Sequence, residues 1–221
     1  TELNERAMDP ETIAAICKDV VERGQDRRGW LVFGCSIEHC EALKEGLLDR
    51  GIPACTISAD TPSDERDNVI AAYKRQEIRA LVSMGVLTTG FNAQHVDMIA
   101  LARPTKSTGL YIQMVGRGTR CLGKDIHESV ARGKADCLIL DYGGNIRRHG
   151  PFDQPFLPNT RRARGPDEEP GEAPTKDCPE CGEIVLIAAS SCPACGFEFP
   201  ARESKVAKEA DAAPIMAPPP A

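Results

Sequence analysis

Apolar and polar residues alternate with two different periods along the first two-thirds of this 221-residue chain. In "DPETIAAICKDVVER" the apolar positions return every three to four residues, which predicts a helix with Asp9 as N-cap and Pro10 at the first helical position. "GWLVFGCS" is a short unbroken apolar run, the pattern of a strand covered on both faces. "IEHCEALKEGLLDRG" returns to helical spacing and stops at Gly51, a C-terminal cap. "PACTIS" predicts a second strand, and "TPSDERDNVIAAYKR" another capped helix. "IRALVSM", "VDMIALA" and "ADCLILDY" predict three more buried strands. Strands separated by helices of this length imply right-handed βαβ units and a parallel sheet. The expected fold is a doubly wound α/β domain over residues 1–146.

The pattern changes after Gly143. Residues 147–164 hold Arg147, Arg148, Arg161, Arg162 and Arg164 against a single acid, Asp153, while Pro151, Pro155 and Pro158 disfavour helix or central strand there. Such a basic run suits a nucleic-acid backbone or a solvated linker, and both readings stand. "GPDEEPGEAPTKD" is a Pro/Gly-rich linker, so 147–176 are taken as connecting chain. A compact cysteine module follows at 177–200, and the tail 201–221 has too little apolar surface to fold alone.

Composition narrows the classes. Hydrophobic residues at 41% allow a full core for the first domain, and a formal net charge of −6 argues against a globally basic nucleic-acid binder without excluding a local phosphate site. No apolar run reaches the length of a membrane span and no secretory leader is evident, so membrane association is not expected and a cytoplasmic location is. Cys17, Cys35, Cys40, Cys55, Cys121 and Cys137 are scattered through periodic apolar segments, as small buried hydrophobes of a reducing compartment would be.

The other four cysteines are paired. "CPECG" (Cys178, Cys181) and "CPACG" (Cys192, Cys195) are two knuckles separated by ten residues. A Cys-x-x-Cys turn brings two thiolates to one metal, and two turns complete the tetrahedral four-cysteine site of a zinc ribbon, with no vacant position. Disulfides or redox dithiols are the alternative, but the same proline and glycine flank both knuckles. A closed four-thiolate site predicts structural Zn2+, not catalytic Zn2+.

Chemistry concentrates between Arg79 and Arg120. Arg117 and Arg120 lie three residues apart beside Gly116 and Gly118, a spacing that places two planar cations together and suits phosphate oxygens. "VLTTGFNAQHVDMI" resembles motif V, and "QMVGRGTR" motif VI, of the carboxy-terminal motor lobe of superfamily-two helicases, the DExD/H-type enzymes with two RecA-like lobes. "WLVFGCSIEHCEAL" resembles their motif IV. With the trailing knuckles, the chain is most similar to RadD-like DNA repair helicases.

That resemblance implies a RecA-like, P-loop NTPase-type lobe that lacks its own P-loop; no G-x-x-x-x-G-K-[ST] occurs anywhere. The acidic "SDERD" at Ser63–Asp67 opens a helix and reads as charge favourable to the helix dipole. ATP and Mg2+ would be held mainly by a missing first lobe, with Arg117 and Arg120 as transition-state arginines and Gln113, Gly116, Gly90 and Asn92 at the nucleotide. Asn92 stands where the family usually has aspartate; an amide hydrogen-bonds a ribose hydroxyl but brings no charge. Ser36, Thr88 and Thr89 would contact the DNA backbone, and His39 is either a further contact or a surface histidine. The implied partners are DNA, single-stranded or branched, the first lobe and DNA repair proteins. RNA in place of DNA stays open, because nothing here reads a 2′-hydroxyl. The fragment alone would not hydrolyse ATP. Rival readings are a translocase that does not unwind, as in restriction or remodelling systems, and a zinc-ribbon binding module on a degenerate lobe.

Overall fold

The computed structural model describes residues 7–85, 91–155 and 173–200. Helix α1 (Pro10–Arg23) starts where expected: the Asp9 carboxylate accepts the Thr12 N–H at 2.9 Å. β1 (Gly29–Phe33) is buried along its whole length. α2 (Ile37–Leu48) is capped by Ser36, and its chain turns away at Gly51, whose N–H donates to the Leu48 carbonyl at 2.9 Å. β2 (Ala54–Ile57) leads to α3 (Ser63–Lys74). Here the expected cap is corrected. Pro62 occupies the N-cap position and Ser63 is already helical, so no side chain caps this helix.

β3 (Ala80–Ser83), β4 (Val96–Leu101) and β5 (Leu138–Asp141) complete a parallel five-stranded sheet in the order β2-β3-β1-β4-β5. β5 departs from its expected full burial: it is an edge strand in which Leu140 alone is buried. Alternate residues of the central strands feed two cores, as strand geometry requires. Trp30, Val32, Val82, Met98 and Ala100 face Val20 of α1 and Leu43 and Leu47 of α2. Leu31, Phe33, Leu81, Ile99 and Leu101 face the other way, onto Tyr73 of α3 and onto a helix that follows β4. The sheet is doubly wound, with a layer of helix on each face.

That helix, α4 (Thr108–Val115), has eight residues, too few to be stable in isolation. Tyr111, Met114 and Val115 are all about 1% exposed, and burial of each contributes roughly 1.5–3 kcal/mol. Packing, not propensity, makes it a helix.

Two short helices escaped the periodicity reading: α5 (Ile126–Ala131) and α6 (Asn145–His149). α6 occupies the start of the basic stretch where a helix was not expected. The Asp141 carboxylate accepts the Ile146 N–H at 2.7 Å, and Asn145 bridges the Thr105 N–H, the Arg103 carbonyl and Asp141, so Pro151 arrives only after the helix has ended. His149 donates toward the Thr105 carbonyl at 2.8 Å and stacks on Tyr111. A separate antiparallel pair, β6 (Thr175–Asp177) with β7 (Ile184–Leu186), carries the knuckles. It is tied to α6 by the Ala173 N–H to Arg148 carbonyl bond and an exposed Arg147–Asp177 ion pair at 3.0 Å. Among the described residues no helix is long and apolar enough to cross a membrane.

Candidate functional site

α4 ends at Val115, with Gly116 as its C-cap, and Arg117 and Arg120 follow in a tight turn whose Arg117 and Gly118 N–H groups bond to the Met114 and Val115 carbonyls. The two guanidiniums therefore do not share a continuing helix, but they do converge. Arg117 Nη1 donates to the Phe91 carbonyl at 3.1 Å and Arg120 Nη1 to the same oxygen at 3.3 Å. Arg120 Nη1 also donates to Asn92 Oδ1 at 2.8 Å. Arg117 is half-buried, and burial first, then the charge of Arg120, lowers its pKa from the ordinary value. It stays far above neutrality, so two permanent cations stand together at the start of β4. Asn92 holds Arg120 without neutralising it, which an aspartate would do.

Gly118 makes the turn possible. A Cβ there would overlap Cys137 Sγ and lie 3.0 Å from Ile99 Cδ1, so the loop backbone rests directly on β4 and the approach to β5. Gly118→Ala is expected to destabilise the protein by about 1–3 kcal/mol through overpacking and to shift both arginines. A urea midpoint unchanged from the parent would show that this contact yields freely.

Gln113 lies exposed on α4, one turn before the arginines. Thr88, Thr89 and Gly90 lie outside the described residues. Ser36 is elsewhere: it follows the C-terminal end of β1, whereas Asn92 precedes the N-terminal end of β4, and in these parallel neighbours those are opposite ends of the strands. Its hydroxyl oxygen accepts the His39 N–H at 3.1 Å. Glu38 follows, its carboxyl held below its ordinary value by its own backbone N–H first and by the nearby Ser36 hydroxyl second.

His39 is neither a surface residue nor an exposed contact. It is fully buried, its Nδ1 accepts the Cys35 N–H at 3.1 Å, and its Nε2 has no partner among the described residues. Burial lowers its pKa from the ordinary 6.5. His95, packed against the Tyr73 ring, is lowered for the same first reason. A histidine with a depressed folded pKa contributes stability that is complete above 6.5 and is lost as pH falls toward the folded value. Urea midpoints are therefore expected to fall between pH 7 and about pH 5.5, less steeply in His39→Gln. A pH-independent midpoint would contradict this.

The scattered cysteines are free; Cys17 and Cys40 are buried, and Cys35, Cys55, Cys121 and Cys137 half-buried at the borders of the core. The paired ones converge. Cys178, Cys181, Cys192 and Cys195 have all four Sγ atoms within 4.8 Å of one another, with Cys178–Cys195 at 3.6 Å and Cys181–Cys192 at 3.7 Å. Thiolates about 2.3 Å from one zinc at tetrahedral corners would stand roughly 3.8 Å apart, so the donor set fits that ion. The pairs are too far apart for disulfides, whose sulfurs lie about 2.05 Å apart. The knuckles repeat one geometry: Gly182 and Gly196 have φ of 74° and 77° and donate to the Cys178 and Cys192 carbonyls. Around them, Val185, Ala189, Phe197 and Phe199 form a very small core.

Two contributors were invisible to the sequence reading. The Phe91 carbonyl, the shared acceptor, has no side-chain signature. Lys134 is 6% exposed and bonds to main chain alone, in a stretch whose composition looks like an ordinary loop.

A parallel, doubly wound lobe with no P-loop, presenting paired arginines beside the start of β4, defines the RecA-like C-terminal lobe of a superfamily-two motor. The chain belongs to the helicase conserved C-terminal domain family, whose model matches residues 11–121. Residues 176–201 match a second model, uncharacterised protein family UPF0547. Among curated relatives, the putative ATP-dependent helicase IRC3 of Saccharomyces cerevisiae is 36% identical over 131 residues, which cover 58% of this chain and 18% of that protein. The putative mitochondrial ATP-dependent helicase irc3 of Schizosaccharomyces pombe is 33% identical over 146 residues, 66% of this chain and 23% of that one. A 51.5 kDa protein of a Lactococcus phage is 26% identical over 181 residues, 78% of this chain and 36% of its own. The chain thus spans about a fifth of the length of the two yeast relatives.

Proposed function

We propose that this chain is the second motor lobe of an ATP-dependent DNA helicase or translocase, working against a first lobe that holds ATP and Mg2+. The observation that carries the reading is the convergence of Arg117 and Arg120 on the Phe91–Asn92 segment, two permanent cations on one loop edge. When the first lobe closes, these guanidiniums exchange the Phe91 carbonyl for the γ-phosphate and stabilise the charge that develops on it. Asn92, bonded to Arg120, would with Gln113, Gly116 and Gly90 line the ribose and phosphate side of the same nucleotide. Ser36, Thr88 and Thr89 would hold strand phosphates; the Ser36 hydroxyl oxygen already caps the His39 N–H and would donate its proton to the phosphate. Opening and closing of the lobes then moves the strand stepwise, without base readout.

The four thiols would hold a structural Zn2+, whose chemistry here is to cross-link two knuckles. The knuckle module and the arginines Arg147 and Arg148 beside it suit a DNA backbone, and the resemblance to RadD-like enzymes favours a cytoplasmic role in DNA repair. Strand displacement by the two-lobe protein tests the reading. ATP-dependent release of a labelled strand supports a helicase; DNA-stimulated ATP turnover without release supports the translocase reading.

A further inference from the structure

Lys134 is buried, yet the arginine pair's mechanism does not use it. Its Nζ donates to the Gln94 carbonyl at 2.9 Å and to the Arg120 carbonyl. The first acceptor lies two residues after Asn92, and the second is the main chain of the arginine itself. One ammonium therefore ties together the two segments that meet at the site, a second tie beside the one the guanidiniums make at Phe91. Lys134 is in turn fixed at its own backbone: its N–H donates to the Ser129 carbonyl at 2.9 Å and its carbonyl accepts the Ser129 hydroxyl at 2.8 Å. The same Ser129 oxygen, buried in α5, accepts the Leu122 N–H at 3.0 Å, two residues past Arg120. Ser129 and Lys134 thus clamp the chain that leaves the arginine pair.

We propose that Lys134 is a positioning residue that holds the Arg120 main chain, and through it the Arg117–Arg120 pair, in register with the Asn92–Gln94 segment for transition-state stabilisation. The inference rests on the motor reading above. A cation suits the task because it must satisfy two carbonyls at once, and a charge-assisted hydrogen bond is about twice as strong as a neutral one. Burial lowers the lysine's pKa, the cost of putting it there. A residue retained at such cost while bonded to main chain alone acts on where that main chain goes.

The test uses the two-lobe protein and two probes, ADP and ADP–aluminium fluoride, the second mimicking the transferring phosphoryl group. Lys134→Met keeps the length of the side chain and removes the charge. Expected is a loss of about tenfold or more in ADP–aluminium fluoride affinity, with ADP affinity within about twofold, because misplacement of a transition-state group is felt only there. Lys134→Arg, which keeps a cation in reach of both carbonyls, is expected to recover part of the loss. In an Arg117→Ala/Arg120→Ala background Lys134→Met should add no further loss, since both groups it positions are gone. An equal fractional loss in both backgrounds would assign Lys134 to general fold support and overturn the proposal. If Lys134→Met does not fold cooperatively, Ser129→Ala carries the same test with a smaller effect in the same direction, and full affinity there overturns it. Should Arg120→Ala bind ADP–aluminium fluoride normally, the motor reading itself fails and the inference with it; normal binding by Lys134→Met beside a weakened Arg120→Ala sinks the inference alone.

Discussion

Arg120→Ala in the two-lobe protein is expected to lower ATP turnover by about a thousandfold or more, the range seen when a transition-state arginine is lost in other phosphoryl-transfer enzymes. ATP binding should weaken far less, because the first lobe would hold most of the nucleotide. The structure gives reasons to expect that folding survives. Arg120 is exposed, its side chain bonds to Asn92 and to a carbonyl it shares with Arg117, and neither bond lies in the core. The Phe91 carbonyl would keep Arg117 as a donor. A variant that turns over ATP at the parental rate would reduce "GRGTR" to the end of a helix.

Removing the metal is the second large effect. The cysteine module has two three-residue strands and a core built on Cys178, Val185 and Cys192. Its hold on the lobe is slight. The exposed Arg147–Asp177 pair is worth less than about 1 kcal/mol. Lys176, set 3.5 Å from the Phe199 ring centroid and bonded to the Ala189 carbonyl, stiffens the hairpin without enlarging its core. A structural zinc in small modules of this kind supplies on the order of 10 kcal/mol, far more than these contacts together. The purified protein is expected to carry one zinc per chain. Chelation should open residues 173–200 to proteolysis while the lobe, whose two cores owe nothing to the metal, stays resistant. Far less than one zinc per chain, or a module that resists proteolysis after chelation, would show that the four thiols serve another purpose.

Much of this architecture was legible before any coordinates, and the reasons are local. The buried runs at Trp30–Phe33, Leu81–Val82 and Met98–Leu101 are central strands, and an uninterrupted apolar stretch between helical periods has few other uses. Asp9–Pro10 gave one helix start, because a cap is a one-residue chemical event. What the sequence could not disclose depends on contacts between distant segments. α6 exists because Asp141 and Thr105 accept and donate to it. α5, with Ile126 and Val130 exposed, has no periodic apolar face to betray it. In the site, the four cysteines were readable from their spacing, and the arginine pair from its spacing together with the resemblance to motif VI. The Phe91 carbonyl and Lys134 were not, since one is main chain and the other binds only main chain. His39 misled for a related reason: a histidine in a helix reads as polar, and only the Cys35 N–H explains why it can be buried.

ATP hydrolysis by the two-lobe protein, measured beside this chain alone and with or without single-stranded DNA, separates a second motor lobe from a self-sufficient enzyme. Turnover is expected to rise with DNA in the two-lobe protein and to stay at background in the isolated chain. DNA-independent turnover at the same rate in both would contradict it, because the catalytic site would then have to lie within these residues.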